Sequence, residues 1–499
     1  MIRARGEGGG GQQMQRAALA ALLALAMAAT IVAQPASDSI QRLQTDLIAA
    51  TQMPGVQHGT WGIAVQSLDR NERLFDLNPH TLIVPASVEK LVSVATAVDA
   101  VGWDYRFTTT LRRTGPIADG VLRGDLLIIG GGDPSTGGRG GDDFSSWIAA
   151  LKEAGIRRID GRVVGVDDLF EEPRPGFAWS WDDLGYSTGA IFGALNFGEN
   201  MAMVTVRPGS TPGAPAMLTP NGDAVDAQTI DRAVTGAAGT RQLLWPEMRP
   251  GEPEVTIAGS TPIGGRAVSL LISAGNPTLW SARVLRRHLI AGGIDVSGEA
   301  VDGDTLDAPP TLDAGELVYT YRSHPLSEIA QQAVKESINL YGEALHRLNA
   351  AGPLPHDNDQ ALAGVKQRFL SWGVPAEGFQ LVDGSGLSRR DALAPDTLLT
   401  ILTHMYDATG ASPWMTAFPI AGVDGTLMGR MKDTPAENNV RAKTGTMSNV
   451  RSLVGYVRTR DGESLAFVIM LENFEGTGAQ AVAAIDSIAI RLASFRRQP

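Results

Sequence analysis

An α/β (α+β) fold is what the sequence predicts: an antiparallel sheet flanked by helices, interrupted by inserted β-rich domains. Three observations predict it. Helical periodicity occurs on both sides of a long middle segment. That segment, residues 104–317, consists of short β-rich runs broken by Gly and Pro, and closely spaced alternating runs follow near the C-terminus.

In chain order, Trp61 to Leu68 alternates and ends at Asp69, Arg70 and Asn71, which predicts a strand and a turn, with Leu74 to Leu77 as hairpin partner. Pro85 and Ala86 lead into Ser87–Val101, where Leu91, Val94, Ala95, Val98 and Val101 recur at three- and four-residue spacing. That pattern is a buried helix beginning at Ser87. Leu126 to Ile129, Arg162 to Val166 and Met203 to Val206 are the clearest strands of the middle segment. A long helical pattern from Pro325 to about Asn349 follows, then helices near Asp359–Trp372 and Pro395–Tyr406. Arg441–Gly445, Ser452–Arg458 and Ser464–Leu471 read as strands, the last two joined through Asp461-Gly462, and a helix from about Gly478 to Phe495 covers them. No repeat of constant period occurs, which argues against solenoids and propellers.

With 499 residues, 43% hydrophobic and 19% charged, the chain has ample material for two to four domains. A net charge of -12 without a basic cluster excludes a general nucleic-acid binder. The absence of cysteine excludes disulfides, thiolate catalysis and cysteine-based metal sites. Seven histidines show no metal spacing, so neither a metal nor another cofactor is expected. Residues 1–33 read as a signal peptide: Arg3, Arg5 and Arg16 precede an apolar run from Ala17 to Ala33, with cleavage near Ala33 and a periplasmic or otherwise exported mature protein. The alternative is a retained anchor, which would give peripheral membrane association.

Three short motifs carry the chemistry: Ser87-Val88-Glu89-Lys90, Ser337-Ile338-Asn339 and Lys443-Thr444-Gly445, in that order. The chain has only six lysines, and Ser87 with Lys90 forms its one Ser-x-x-Lys. One helical turn places Lys90 beside Ser87, and a lysine whose pKa is depressed by burial and neighbouring cations can take the proton of a serine hydroxyl. Alone, this pair would more often be a helix cap and a solvated lysine. Ser-x-Asn is weak by itself, and Ser337 could be an ordinary polar helix residue. Lys-Thr-Gly on a strand is more specific: Lys443 brings charge, Thr444 and Thr446 hydroxyls, and Gly445 close backbone approach to an extended peptide ending in a carboxylate. All three in order form the signature of penicillin-recognising serine enzymes.

With these motifs the chain resembles the class C penicillin-binding proteins, the D-alanyl-D-alanine carboxypeptidase and endopeptidase family. Secondary stretches carry the resemblance further: Val84-Pro85-Ala86, Gly124-Asp125-Leu126, Gly131-Gly132-Asp133-Pro134, Ile159-Asp160-Gly161, Trp179 to Asp183, Ala194-Leu195 with Asn200, Asp383 to Arg389, and Gly422 to Leu427. It covers about residues 40 to 495. The resemblance implies a β-lactamase/transpeptidase-like domain built from 38–103 and 318–499, with 104–317 an inserted β-rich region of two subdomains. It implies Ser87 as acylated nucleophile, Lys90 as its base, and Ser337 with Lys443 as a proton relay. Asn339 would hold the substrate amide, and Thr444 and Thr446 the terminal carboxylate. The backbone N–H groups of Ser87 and Thr446 would form the oxyanion hole. The implied partners are peptidoglycan peptides ending in D-Ala-D-Ala and β-lactam antibiotics.

Two departures stand out. Val166 occupies a position, four before Phe170, where relatives often carry an acid that reads a substrate amino group, and Ile338 stands where many carry a polar residue. Among competing readings, a class A β-lactamase is shorter and deacylates through a separate carboxylate for which the sequence offers no clear candidate. A catalytically inactive wall-binding relative conflicts with intact Ser87, Lys90, Ser337 and Lys443. Gly384-Ser385-Gly386 lacks the spacing of a Gly-x-Ser-x-Gly elbow, leaving Ser385 as a loop or substrate-edge residue. Gly130, Gly131 and Gly132 lack the third glycine of a dinucleotide loop.

Overall fold

Strand alternation builds the central sheet from both ends of the chain. Its order is Glu72–Leu77, Thr60–Ser67, Ser464–Glu472, Val450–Arg458, Arg441–Met447, every neighbour antiparallel. The computed structural model describes residues 38–497 apart from 140, 142, 172–174, 250 and 408, so the predicted signal peptide, 1–33, lies outside the described residues.

Successive side chains of a strand point to opposite faces, and here both faces are covered. Ile63, Val65, Phe467, Ile469 and Leu471 pack with Leu43 and Leu47 of the helical segment 38–51 and with Ile485, Ile488 and Leu492 of the helix Gly478–Ser494. Ala64, Val468 and Met470 face the other way, onto Leu91, Val94 and Leu398 of the helices Lys90–Val101 and Pro395–Met405. Double coverage explains the nearly unbroken apolar run of Ser464–Glu472, since both side-chain sets must leave water. Burying each large apolar side chain contributes about 1.5–3 kcal/mol. Gly478–Ser494 starts at a capping box: Gln480 N–H donates to Thr477 Oγ1 and Thr477 N–H to Gln480 Oε1. The predicted turn between the last two strands is present, with Gly462 at φ +86°.

The segment 104–317 is less purely β than its sequence texture indicates. Leu126–Ile129, Val163–Val166 and Ala300–Asp302 run parallel, and antiparallel strands Thr108–Arg113 and Glu316–Arg322 complete their sheet. Two helices, Ser145–Glu153 and Pro277–Ala291, pack in this region. Arg283, Arg286 and Arg287 dilute the apolar face of the second helix, which Trp280, Val284, Leu285 and Leu289 nevertheless bury. The remaining strands between residues 201 and 273 form two further small sheets.

The predicted long helix Pro325–Asn349 is broken. The chain forms Leu326–Lys335 and Asn339–Arg347, and Ser337 lies between them at φ +62°. A non-glycine residue in the left-handed region cannot continue an α-helix, and periodicity alone could not reveal this break.

Candidate active site

Three elements converge on one cavity of about 470 Å³ lined by Ser87, Ser337, Asn339, Thr444 and Thr446. Ser87 lies in a 3₁₀ turn, Ala86–Glu89, that runs directly into Lys90–Val101, so the predicted helix start is a tighter turn than an α-helix. This turn still places Lys90 beneath Ser87. Lys90 Nζ donates to Ser87 Oγ at 3.0 Å, to Asn339 Oδ1 at 2.7 Å and to the Ser385 carbonyl at 2.7 Å. Lys90 is fully buried, and burial pushes its amine down to about 8, although Asp383, Glu343 and Glu89 oppose the shift.

The second lysine approaches from the edge strand. Lys443 Nζ donates to Ser337 Oγ at 2.7 Å and to the Thr444 carbonyl at 2.8 Å. Burial, with the nearby charge of Lys90, holds Lys443 well below the ordinary lysine range. Two buried amines that repel each other favour a neutral amine at the site, which a base requires. The break before Asn339–Arg347 turns Ser337 toward Lys443, while Asn339 at the helix start reaches Lys90 and donates through Nδ2 to the Thr188 carbonyl at 2.7 Å. These two contacts fix the Asn339 amide and leave its second N–H and second lone pair to bond a peptide.

Thr444 donates to Thr426 Oγ1 at 2.8 Å, which ties the Lys-Thr-Gly strand to the Gly422–Leu427 segment. Lys335 pairs with Asp424 in that segment, and Asp424 also accepts from Ile420 N–H at 2.8 Å. Thr446 is exposed and lines the cavity. Gly445 is buried, and its closest neighbour is the chain itself: a Cβ there would lie 2.6 Å from the Pro85 carbonyl and 3.0 Å from Ser452 Cβ. The Ser87 turn thus approaches Gly445 closely. Gly445→Ala should force strand and turn apart, costing about 1–3 kcal/mol. Thermal melting and penicillin-acylation rates should both fall, and a variant with wild-type values in both would refute this packing role.

Ser180, Asp182, Asp183 and Arg389, which lie in stretches that carry the resemblance but had no role assigned, help form the cavity wall, together with Thr188, Glu336 and Ser448, which carried no sequence signal. Arg389 Nη2 donates to the Ser448 carbonyl at 3.0 Å. Val166, whose missing acid was the noted departure, sits in an apolar cluster with Leu127, Ile129 and Val164, so the acidic groups on the cavity wall come from other positions. Ser385 is a loop residue, the first of its two expected places, and is buried behind Lys90 and not at a substrate edge; its carbonyl, not its hydroxyl, meets the lysine. Folding also gathers two carboxyl groupings that histidine spacing does not reveal: Glu89 with Asp383 and Asp391, and Asp167 with Asp302 and Asp304.

Comparison with known proteins places this arrangement in a family. The model of the D-Ala-D-Ala carboxypeptidase 3 (S13) family matches residues 43–493. The D-alanyl-D-alanine carboxypeptidase of Actinomadura sp. (strain R39) is 31% identical, over 99% of this chain and 93% of its own. D-alanyl-D-alanine carboxypeptidase DacB of Haemophilus influenzae is 27% identical over 83% of this chain and 85% of its own. The crystal structure of penicillin binding protein 4 (dacB) from Haemophilus influenzae superposes with a TM-score of 0.76 at 26% identity, covering 89% of this chain and 98% of that one. With motifs, fold and matched length in agreement, the chain belongs to the D-Ala-D-Ala carboxypeptidase 3 (S13) family and is a class C penicillin-binding protein.

Proposed function

We propose that this protein is an exported serine D-alanyl-D-alanine carboxypeptidase that hydrolyses peptidoglycan stem peptides through an ester on Ser87 and is acylated there by β-lactams. The observation that carries the reading is the 3.0 Å contact between Lys90 Nζ and Ser87 Oγ, beside a cavity that Ser87 and Ser337 line, with Lys443 Nζ on Ser337 Oγ at 2.7 Å. Neutral Lys90 takes the hydroxyl proton as Ser87 Oγ attacks the carbonyl of the penultimate D-alanine. The backbone N–H groups of Ser87 and Thr446 stabilise the oxyanion. As the tetrahedral intermediate collapses, the C–N bond breaks and the leaving amine takes a proton relayed through Lys443 and Ser337. Water then hydrolyses the ester. Asn339 orients the substrate amide, while Thr444, Gly445 and Thr446 line the strand along which the peptide and its terminal carboxylate lie.

The same pocket admits a second activity, endopeptidase cleavage of wall cross-links, whose scissile bond also follows a D-alanine. The proposal includes the division of the chain into a catalytic unit, 38–103 with 318–499, and an inserted unit, 104–317. Export through a signal cleaved near Ala33, to the periplasm in a Gram-negative cell, completes it. No helix among the described residues is long and apolar enough to cross a membrane. The wild-type protein should release free D-alanine from a pentapeptide ending in D-Ala-D-Ala, and stoichiometric penicillin should stop the release. A protein that neither releases D-alanine nor binds penicillin would defeat the proposal and favour an inactive wall-binding relative.

A further inference from the structure

Behind Lys90, away from the cavity, Glu89, Asp383 and Asp391 are buried to 1%, 1% and 0% exposure, and their carboxylate oxygens lie within 4.8 Å of one another. Three adjacent buried anions would repel strongly, so the hydrogen-bond inventory shows where charge can reside. Asp383 is supplied with donors: Ser385 N–H at 3.1 Å and Gly386 N–H at 2.7 Å on Oδ1, Ser388 N–H at 2.8 Å and Trp179 Nε1–H at 2.7 Å on Oδ2. Four N–H groups solvate an ionised carboxylate well. Asp391 accepts only from Val382 N–H, at 2.7 Å on Oδ1; its Oδ2 and Glu89 Oε2 are buried without a donor among the described residues. Each of Glu89, Asp391 and Asp383 places an oxygen within 4.8 Å of the other two, and carboxyl groups this close can bond to each other only by holding a proton between them.

We propose that Glu89, Asp391 and Asp383 form a buried chain that holds two protons and one negative charge, with Glu89 donating to Asp391 and Asp391 donating to Asp383. Glu89 and Asp391 are then positioning residues for the Ser87–Lys90 turn. The chain fastens this turn to the loop whose Ser385 carbonyl receives Lys90, and it limits the negative charge facing the amine. Geometry supports the fastening: a Cβ on Gly386, at φ +73°, would lie 2.0 Å from the Ala86 carbonyl and 3.1 Å from Glu89 Cβ, so loop and turn are in direct contact.

The other charged groups around the chain are compatible with it. Glu343, on Asn339–Arg347, is raised by burial and by Asp383 to about 7, and its Oε1 accepts from Gly384 N–H. His346 is lowered by burial to about 4, hence neutral, and Arg347 lies beside both. Lys90 and Lys443 reach the cavity-lining hydroxyls of Ser87 and Ser337. Burial, then neighbouring carboxylates, push Glu89 and Asp391 well above the carboxyl range. Ionising all of them would hold Lys90 protonated and unable to act as a base.

This inference rests on the reading of Lys90 as base only for its consequence, and the tests separate the two. The infrared difference spectrum of wild type minus Glu89→Gln at neutral pH should show a lost carboxylic-acid C=O band. A lost carboxylate band would overturn the chain, as would a stoichiometric divalent cation in elemental analysis of the purified protein. Linkage gives a second readout. A carboxyl raised in the folded state contributes stability present below its unfolded pKa and lost as pH rises through the folded value, so wild-type melting temperature should fall as pH rises above the ordinary carboxyl range. Glu89→Gln should flatten that fall and melt higher at the alkaline end; an unchanged slope would count against the chain. Because a neutral group replaces a neutral group, the midpoint of the acid limb of penicillin acylation should stay within about half a unit, whereas removing an ionised neighbour would lower it by about a unit or more. If the acid band is found but the wild type is never acylated, the chain stands and the assignment of Ser87 and Lys90 falls.

Discussion

Ser87→Ala should abolish labelling by a fluorescent penicillin, a fall of at least about ten-thousandfold in acylation rate. Ser87 is the cavity-lining hydroxyl that contacts Lys90, and Ser385 is buried behind that lysine. The variant should fold, because Lys90 keeps two of its acceptors, Asn339 Oδ1 and the Ser385 carbonyl. Its melting temperature should correspond to a change of about 1 kcal/mol or less. Mass spectrometry of labelled wild type should place the adduct on the peptide containing Ser87. Equal labelling of both proteins, or an adduct elsewhere, would remove Ser87 from the nucleophile's role.

Lys90→Met should have the next largest effect, slowing acylation by about a hundredfold to ten-thousandfold, the usual contribution of a positioned base. Methionine approximates the buried stem of the lysine, so the lost function is the amine and not the packing. Wild-type acylation should also show its base in the pH profile. With the Lys90 amine pushed down to about 8, the neutral fraction falls tenfold for each pH unit below that value, and acylation should fall with it. In Lys90→Met that limb should vanish. A wild-type rate flat from acid to alkaline pH, or a Lys90→Met profile that keeps the same limb, would assign the proton transfer to another group.

How much of this was legible in the sequence depends on distance along the chain. The Ser87–Lys90 contact is local: any helical or 3₁₀ turn brings residues three apart together, so spacing alone anticipated it. The strands near the C-terminus were equally visible, because alternation and an Asp-Gly turn are written within a few residues. The helix Pro277–Ala291 was obscured by its half-buried arginines, and the break at Ser337 left no periodic trace. The carboxyl chain behind Lys90 was invisible for a different reason. Glu89 and Asp391 are 302 residues apart, and an acidic residue in a short motif ordinarily reads as a solvated one.

The sequence by itself determined the elements that carry the motifs, the order of Ser-x-x-Lys, Ser-x-Asn and Lys-Thr-Gly, and hence the family. These follow from local periodicity and residue chemistry. The tertiary structure decided which groups carry protons and which carry charge. Burial removes water from Lys90, Lys443, Glu89 and Asp391 at once, and the ionisation of each then depends on donors and charges brought from remote parts of the chain. Such neighbours exist only after the chain has folded.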